Sequence, residues 1–506
     1  TFDLVLRNAV LVDPEARTTT AGDLAIRDGR IAALGSFDIA PGTPTLELQG
    51  AAVAPGFVDL HTHVDSDVVR TPLCPNFLRM GVTTIVTGNC GSSVEDLDRH
   101  FARLDKGGVG PNYASLVGLG TVRRQVLGTA NRAPTADELV RMQQLVDRGM
   151  QAGAFGVSTG LIYVPGIYAE RDELAALASV AGRHGGLYVS HMRHEDERIL
   201  EAIDEALAIG AAAGTPVHIS HIKCSGIRSH GNAAVVLQRL RDARARGVRV
   251  TADQYAYDAS STGIDVLFPA DELAVGRAGF AERLREDPDY RRRIHAALLA
   301  TMDRVGFGDF GYARIASAKG NEDLNGMLLP AAAKQKLGRD DRDAQAEMAI
   351  ELLIAAAPSR VGMVYHKMAE PDVERFMRQD WIAVASDAGI RRDDSPSRPH
   401  PRGSGNNPRV LARYVREREV VDLPTAIAKM TVVPAGILGL GDRGRLAVGQ
   451  AADLVAFDPA TVADRATYES PVERPEGIRY VFVNGLLAVV DGQLTGVRAG
   501  RVLRRE

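Results

Sequence analysis

The 506-residue chain predicts an α/β protein, with a TIM-like (β/α)8 barrel and a small β-sandwich domain built from both chain ends. In its long middle part, apolar strand patterns alternate with helical patterns, which is typical of a parallel α/β sheet. Both ends instead show short alternating patterns broken by Gly and Pro, which are typical of antiparallel strands and turns. No GxGxxG or Walker A motif follows a strand, which disfavours the open, doubly wound alternative that binds nucleotides.

The two chain ends are expected to form the β-sandwich together. Residues 1–55 contain the patterns DLVLRNAVLV, GDLAIRDGRIAALG and TPTLELQGAAVAPG. Residues 436–506 show the same pattern of short strands and turns in GRLAVGQAADLVAFDP and IRYVFVNGLLAVVDGQL. Alternation of apolar and polar residues predicts strands with one buried face, so each end supplies part of one β-rich domain.

Residues 56–435 are expected to form the barrel. The candidate strands are, in order, GFVDLHTHV, VTTIVTG, ASLVGLG, GVSTG, LYVSHM, VHISHI, RVTADQY, GMVYHK and IAVASDA. About eight strand–helix units make a (β/α)8 barrel, whose active site lies at the carboxyl ends of the strands. Residues 258–345 interrupt this alternation of strands and helices with a charged, helical segment. Such an insertion predicts a lid or binding element, or alternatively a surface insertion without a role at the site.

Composition narrows the range of partners. Hydrophobic residues make up 45% and aromatic residues 5% of the chain, and the net charge is −4; without a basic tract, nucleic acid is not expected as a partner. No apolar run is long enough for a membrane span, and the first residues lack the layout of a signal peptide. Three scattered cysteines predict a reducing, cytoplasmic setting. The sequence makes no prediction about the oligomeric state.

A pair of histidines at the end of the first barrel strand is the most informative local pattern. In APGFVDLHTHVDSD, one residue separates His61 from His63. Side chains on a strand alternate with period 2, so both imidazoles point to the same side and can bind a metal ion together. An ordinary strand with two hydrogen-bonded histidines would show the same spacing, so the other strand ends decide between the two interpretations.

Further metal donors follow other predicted strands. They are Cys90 after TIVTGN, His191 in LYVSH, His221 in VHISH and Asp387 in IAVASD. Because the carboxyl ends of barrel strands meet at one mouth, these residues and the histidine pair predict a two-metal site. Imidazole, thiolate and carboxylate ligands together suit Zn²⁺.

These motifs, in this order, resemble the amidohydrolase superfamily, and within it the N-acyl-D-amino-acid deacylases, or D-aminoacylases. The resemblance covers nearly the whole chain and rests on GFVDLHTHVD, GNCG, SHMRHE, HISHIK, DQYAY, SDAG and HPR. It implies one metal ion held by His61, His63 and Asp387. It implies a second, more tightly bound ion held by Cys90, His191 and His221. No lysine ends the GVSTG strand, so the chain resembles members in which a cysteine replaces a bridging carboxylated lysine.

The resemblance also implies the chemistry. Zn²⁺ polarises an amide carbonyl and brings the pKa of a bound water near neutrality. Asp387 is expected to accept a proton from that water and to pass it to the leaving amine. No GxSxG motif for a serine nucleophile is present. The expected reaction is zinc-dependent hydrolysis of N-acyl-D-amino acids to a carboxylate and a free D-amino acid.

The substrate's α-carboxylate is expected, again by resemblance, to be held by Lys223, Tyr255, Ser261 and Arg402. The planar guanidinium of Arg402, in HPR, suits a carboxylate, and Tyr257 is an alternative to Tyr255. Relatives that act on acidic substrates carry an arginine shortly after the serine. Here that segment reads TGIDVLFP, so an apolar or neutral D-amino-acid side chain is expected.

Two alternative functions stay open. The first is a cyclic-amide hydrolase of the same superfamily, such as a hydantoinase or a dihydroorotase, which Cys90 and the missing strand-end lysine disfavour. The second is a non-catalytic scaffold on the same fold. Such a protein is expected to lose metal ligands, whereas all six donors are present here.

Overall fold

A computed structural model describes residues 1–392 and 394–505. Residue 506, the last of the expected C-terminal part, lies outside them. The β-strands are β1 Leu4–Asp13, β2 Thr18–Arg27, β3 Arg30–Gly35, β4 Thr45–Glu47, β5 Ala52–Pro55, β6 Phe57–Asp59, β7 Val82–Thr87, β8 Asn112–Ser115, β9 Val117–Gly118, β10 Gly156–Gly160, β11 Leu187–His191, β12 Val217–Ile219, β13 Val250–Gln254, β14 Ser260–Gly263, β15 Ala313–Ser317, β16 Gly362–Tyr365, β17 Ile382–Val384, β18 Leu454–Phe457, β19 Ile478–Val483, β20 Leu486–Val490 and β21 Gln493–Leu494.

Helices occur mainly between the strands of the middle part. The α-helices are α1 Asp67–Arg70, α2 Pro75–Arg79, α3 Leu97–Gly107, α4 Leu119–Leu127, α5 Ala136–Gln151, α6 Arg171–Arg183, α7 Ile199–Ala213, α8 Ala233–Ala245, α9 Gly276–Glu286, α10 Pro288–Val305, α11 Leu329–Leu337, α12 Arg342–Ala356, α13 Glu370–Met377, α14 Arg402–Arg409, α15 Leu423–Met430 and α16 Val432–Leu438. A π-helix, Val410–Glu417, continues α14. Within the two described ranges, no helix is both long enough and apolar enough to cross a membrane.

The middle of the chain forms two parallel sheets, which confirms the predicted α/β class. One contains β6, β7 and β8, and the other has the order β17-β13-β12-β11-β10-β9. Only Leu116 separates β8 from β9. At the other edge Thr62, just past β6, pairs in parallel with Ala388, just past β17. The backbone N–H of Asp387 donates to the carbonyl oxygen of His61 over 2.8 Å, so the outer edges of the two sheets lie against each other.

Helices cover these sheets. Strands that are buried on both faces read as continuous apolar runs, and every residue of β7, β10 and β11 is buried. The covering helix α5 begins with a capping box between Thr135 and Glu138. Its buried face carries Met142, Val146 and Met150 at helical spacing. Packing on both faces thus fixes the strand ends, where the predicted donors follow.

Strands from the two chain ends join in one nine-stranded sheet. The order is β21-β20-β19-β18-β5-β1-β2-β3, with β4 paired to β1, and the two ends meet where β18 runs antiparallel to β5. Side chains of β5 alternate between two cores. Val53 packs in a core made of chain-end residues, whereas Ala52 and Ala54 pack in the core shared with the parallel sheets.

The insertion extends further than the sequence predicted. β14, β15 and β16 form a separate antiparallel sheet, and with α9, α10, α11 and α12 they enclose a second hydrophobic core that runs from Ile264 to Tyr365. The expected boundary at residue 345 lies inside α12, in the middle of this core. The inserted unit therefore ends near Tyr365.

The segment GMVYHK was wrongly predicted to be a barrel strand. Gly362–Tyr365 pairs antiparallel with Ser260–Gly263 and Ala313–Ser317 instead of entering a parallel sheet. A short apolar run has the same pattern in either kind of sheet, so periodicity could not separate the two. The other eight predicted strands all correspond to strands of the two parallel sheets.

Candidate metal centre

The predicted metal donors lie where parallel strands end, and three of them are at sharp backbone turns. His191 is the last residue of β11, while Cys90, His221 and Asp387 follow β7, β12 and β17 within three residues. These three residues have φ angles of 52°, 34° and 51°. That left-handed conformation is unfavourable for residues other than glycine and is concentrated at functional sites. The surrounding sheets hold these turns and direct the side chains to a common edge.

Cys90 is at the centre of a first donor group. Its Sγ lies 3.2 Å from His61 Nε2, 3.4 Å from His191 Nδ1 and 3.6 Å from His221 Nε2. The nitrogens His191 Nδ1 and His221 Nε2 are 2.8 Å apart. Three imidazole nitrogens therefore surround one sulfur atom.

Asp387 forms a second donor group with the histidine pair of the first strand. Its Oδ1 lies 3.0 Å from His63 Nε2 and 3.5 Å from His61 Nε2. The three ligand atoms lie within 4.8 Å of one another, and His61 belongs to both groups. The structure thus brings together all six residues that the sequence predicted as donors.

The chemistry of this donor set fits divalent metal. Imidazole nitrogen, thiolate sulfur and carboxylate oxygen form a combination that Zn²⁺ accepts. Burial by itself would raise the pKa of the Cys90 thiol, but the charges of His61 and His191 outweigh burial and hold that pKa well below its usual range. The surrounding positive charge therefore favours the thiolate, which is the form that binds metal.

Two buried carboxylates behind the donors hold them in place, and the sequence analysis missed both. Asp253 Oδ2 is bonded to His218 Nε2 over 2.8 Å and lies 3.6 Å from His61 Nδ1. Its Oδ1 accepts the backbone N–H of His221 over 2.8 Å, and Asp59 accepts that of His61 over 3.2 Å. A carboxylate beside a metal-binding histidine helps to orient its ring, which is the position of Asp253 at His61, whereas Asp59 holds the backbone of His61. Asp253 lies near the end of the predicted strand RVTADQY, so the rule that found the donors could have found it as well.

Glu195, in SHMRHE, is a third acidic residue that sequence analysis missed. Its Oε1 lies 2.6 Å from Lys223 Nζ and 3.0 Å from His221 Nδ1. Burial would raise the pKa of Glu195, but the charges of Lys223 and the two nearby histidines hold it below its usual range. Lys223, which was predicted to bind substrate, therefore already has a carboxylate partner within the protein.

Arg402 connects Asp387 with the other predicted substrate-binding residues. Its Nη1 lies 2.9 Å from Asp387 Oδ2, and its Nη2 lies 3.5 Å from the carbonyl oxygen of Ser261. The guanidinium also stacks on the ring of Tyr255 at 4.5 Å. Burial would raise the pKa of Asp387, but Arg402 and His61 outweigh burial and hold it well below its usual range. Asp387 is therefore an ionised carboxylate at neutral pH.

A cavity of about 660 Å³ opens onto this centre, and the insertion supplies much of its wall. The donors and predicted substrate ligands that line it are His191, His221, Asp387, Lys223, Tyr255 and Ser261. Arg402 contacts this wall through Asp387 and Tyr255. Tyr257 packs instead against Arg409 and His400, so the geometry favours Tyr255 over Tyr257.

Comparison with known proteins assigns this fold and centre to a family. A model of the amidohydrolase family matches residues 45–489, and the chain belongs to that family. Within it, similarity over the whole length joins the chain to the D-aminoacylases. D-aminoacylase of Alcaligenes xylosoxydans xylosoxydans is 35% identical and covers 100% of this chain and 98% of the relative. The N-acyl-D-aspartate and N-acyl-D-glutamate deacylases of that organism are 36% and 35% identical, over 99% and 100% of this chain and 95% and 97% of their own.

Solved structures agree with this assignment. A D-aminoacylase crystal structure matches with a TM-score of 0.85 at 33% identity, over 100% of both chains. N-acyl-D-glutamate deacylase from Bordetella bronchiseptica, in complex with zinc and a phosphonate inhibitor, matches with a TM-score of 0.82 at 32% identity, over 100% of both. A dihydropyrimidinase from Brevibacillus agri, with a TM-score of 0.60 at 16% identity over 99% and 98% of the chains, shares the fold alone. A further D-aminoacylase structure concerns a binuclear metal centre in that enzyme.

Proposed function

We propose that the protein uses bound metal to hydrolyse N-acyl-D-amino acids, releasing a carboxylate and a free D-amino acid. The observation that carries the proposal is the meeting of six metal donors with the Arg402–Asp387 pair beside a cavity of about 660 Å³. The names of the full-length relatives support it.

The proposed architecture places this centre at the mouth of a barrel. The one-residue link between β8 and β9 and the pairing of Thr62 with Ala388 support closure of the two parallel sheets into one (β/α)8 barrel. The side chains of β5 alternate between two hydrophobic cores, which supports a sandwich-like packing of the chain-end sheet. The proposed domains are residues 1–55 and 436–506 for the sandwich and 56–435 for the barrel, with an insertion from 258 to about 365.

Two metal positions are proposed. One would be held by His61, His63 and Asp387. The other, with the tighter binding, would be held by Cys90, His191 and His221. The position of the Cys90 sulfur 3.2 Å from His61 Nε2 supports a bridging role for it. Bound Zn²⁺ would supply a Lewis acid that polarises the amide carbonyl and lowers the pKa of water.

Asp387 is proposed to move the proton. Its Oδ1 faces His63 and its Oδ2 is held by Arg402, so the carboxylate has one fixed orientation. As an ionised group, it can accept a proton from the attacking water. The protonated carboxyl can then pass that proton to the leaving nitrogen.

The α-carboxylate of the substrate is proposed to bind beside Tyr255. Two cations flank this ring, since Arg402 lies 4.5 Å and Lys223 Nζ 5.6 Å from its centroid. Ser261 belongs to the same wall and donates its hydroxyl to the carbonyl oxygen of Met363 over 2.8 Å. A carboxylate there would receive charged hydrogen bonds and leave the amide near the metal donors.

A substrate panel on metal-loaded protein tests the function. N-acetyl-D-leucine and N-acetyl-D-methionine are expected to be hydrolysed far faster than their L-enantiomers. A fixed carboxylate and a fixed carbonyl leave room under the insertion for the side chain of only one enantiomer. Release of free amino acid is the measurement, and equal rates on both enantiomers would contradict the proposal. Faster turnover of hydantoins or dihydroorotate would favour the cyclic-amide alternative, and no turnover at full metal content would favour a scaffold.

The same panel tests the preference for neutral side chains. N-acetyl-D-glutamate is expected to be a poorer substrate than N-acetyl-D-leucine, because no arginine follows Ser261 in TGIDVLFP. The ratio of the two kcat/KM values is the measurement. A clear preference for the D-glutamate substrate would overturn the side-chain prediction and leave the hydrolase assignment unchanged.

Arg402→Ala is expected to lower kcat/KM for N-acetyl-D-leucine by about tenfold to more than a hundredfold. A hydrogen bond to a charged group contributes about 1.5–3 kcal/mol, which corresponds to that range. N-acetyl-D-leucinamide, which lacks the α-carboxylate, separates the two roles of this arginine. If the substitution lowers activity because it disturbs Asp387, hydrolysis of both compounds falls. If it lowers activity because the α-carboxylate is no longer bound, only hydrolysis of N-acetyl-D-leucine falls. Equal losses on the two compounds would show that Arg402 does not bind the α-carboxylate.

A further inference from the structure

Arg391 is a second arginine near Asp387, and in the described part of the chain it forms no ion pair. Its neighbours in the loop are paired, Arg392 with Asp394 and Arg402 with Asp387. Within residues 1–392 and 394–505, no carboxylate lies within ion-pair distance of the Arg391 guanidinium. Its Nε is buried and has no hydrogen-bond partner. A largely buried guanidinium without a partner is unfavourable, so this arginine needs an explanation.

Hydrogen bonds with Asn76 hold the backbone of the loop around Arg391 in place. The backbone N–H of Arg391 donates to Asn76 Oδ1 over 3.0 Å. The amide nitrogen of Asn76 donates to the carbonyl oxygens of Gly403 over 2.7 Å and Gly389 over 3.3 Å. One buried asparagine thus joins the loop after Asp387 to the start of α14.

Two glycines make room for the guanidinium. A Cβ at residue 403 would lie 2.3 Å from Arg391 Nε and 2.9 Å from its Cζ, so any side chain there would displace it. A Cβ at residue 389 would lie 3.7 Å from Nη1. The guanidinium therefore lies between the residues that follow Ala388 and Arg402. The nearby His63 side chain is 34% exposed, so solvent reaches this side of the centre.

The charge balance of the surrounding side chains indicates what this ligand is. Lys223 is paired with Glu195 and Arg402 with Asp387, whereas Arg391 has no acidic partner among the described residues. Burial and the charge of Arg402 lower the pKa of Arg391 to about 10, so it is still a cation at neutral pH. An N-acyl amino acid with a neutral side chain carries one negative charge, on its α-carboxylate.

We propose that Arg391 binds the α-carboxylate of the substrate together with Arg402. This inference rests on the proposed function and adds to it a residue that recognises the substrate. The positive charge of Arg402 acts against that of Arg391, and a shared carboxylate would replace that repulsion with two charged hydrogen bonds. The arrangement also explains the glycine at residue 403, because a larger residue would remove one of the two groups.

The test compares Arg391→Met with the matched control Arg392→Met. For N-acetyl-D-leucine, Arg391→Met is expected to raise KM by about ten- to a hundredfold, the range for a charged hydrogen bond, and to change kcat by less than about threefold. For N-acetyl-D-leucinamide, kcat/KM, or Ki where turnover is too slow, is expected to stay within about threefold of wild type. Arg391→Lys keeps the charge and should recover part of the KM. Arg392→Met should match wild type throughout, since Arg392 is exposed and paired with Asp394.

Other outcomes would overturn the inference in distinguishable ways. If Arg391 only holds the loop, Arg391→Met would lower kcat on the acid and the amide equally and lower the melting temperature. An unchanged KM for the acid, with full activity, would show that the guanidinium does not contact substrate. Both results would leave the proposed function in place. A wild-type protein that carries metal but hydrolyses no N-acyl-D-amino acid would overturn the proposed function and this inference together.

Discussion

Cys90→Ala is expected to strip the more tightly bound metal and to abolish hydrolysis. The sulfur is the atom that three imidazole nitrogens surround, at 3.2 to 3.6 Å. Alanine removes the thiolate ligand and leaves His61, His191 and His221 without the charge that they share. The measurements are metal content after gel filtration, by elemental analysis, and turnover of N-acetyl-D-leucine. Loss of both, with a melting transition retained, is the expected result.

Cys224→Ala is the matched control for this change. Cys224 is also buried, and it follows Lys223 in the same loop, but it belongs to neither donor group. The Cys224→Ala protein should keep its metal and its activity. His221→Ala should repeat the Cys90→Ala result, because His221 faces the same sulfur. A Cys90→Ala protein that is metal-free and fully active would refute the proposed centre.

The donors could be predicted from sequence because each one depends only on local pattern and on the topology of parallel strands. His63 and Asp387 lie 324 residues apart in the chain, yet their side chains are 3.0 Å apart. Strand periodicity locates each of them at a strand end, and the parallel arrangement then puts those ends together. No knowledge of individual contacts was needed for that step.

The partners of these residues could not be predicted in the same way. Arg391 and Asn76 are 315 residues apart, and neither follows a pattern that distinguishes it from a surface residue. Lys223 and Arg402 were expected to meet a substrate carboxylate, but each also pairs with an acidic residue of the protein, Glu195 or Asp387. Such pairs depend on how loops cross at the mouth of the sheets, and loop geometry has no periodic signal.

Asp387→Asn is expected to keep the fold and much of the metal, and to lower kcat by about 10²–10⁴-fold, the usual contribution of general acid–base catalysis. Asparagine has nearly the same shape, so the contacts with His63 can form. It cannot accept the proton from water, and it removes the negative charge that Arg402 neutralises. A fall in kcat larger than any rise in KM is the expected signature, because the proton moves only in the transition state.

Asp394→Asn is the control, since Asp394 is an exposed acid of the same loop and, among the described residues, pairs with Arg392 alone. It should show wild-type kcat and metal content. Metal analysis of Asp387→Asn separates its two proposed roles: a protein that retains metal but has lost turnover assigns proton transfer to this carboxylate. If the metal-loaded variant stayed within about tenfold of wild type, far less than acid–base catalysis normally supplies, another group would have to carry the proton. Glu195, bonded to His221 and Lys223, would then be the next residue to replace.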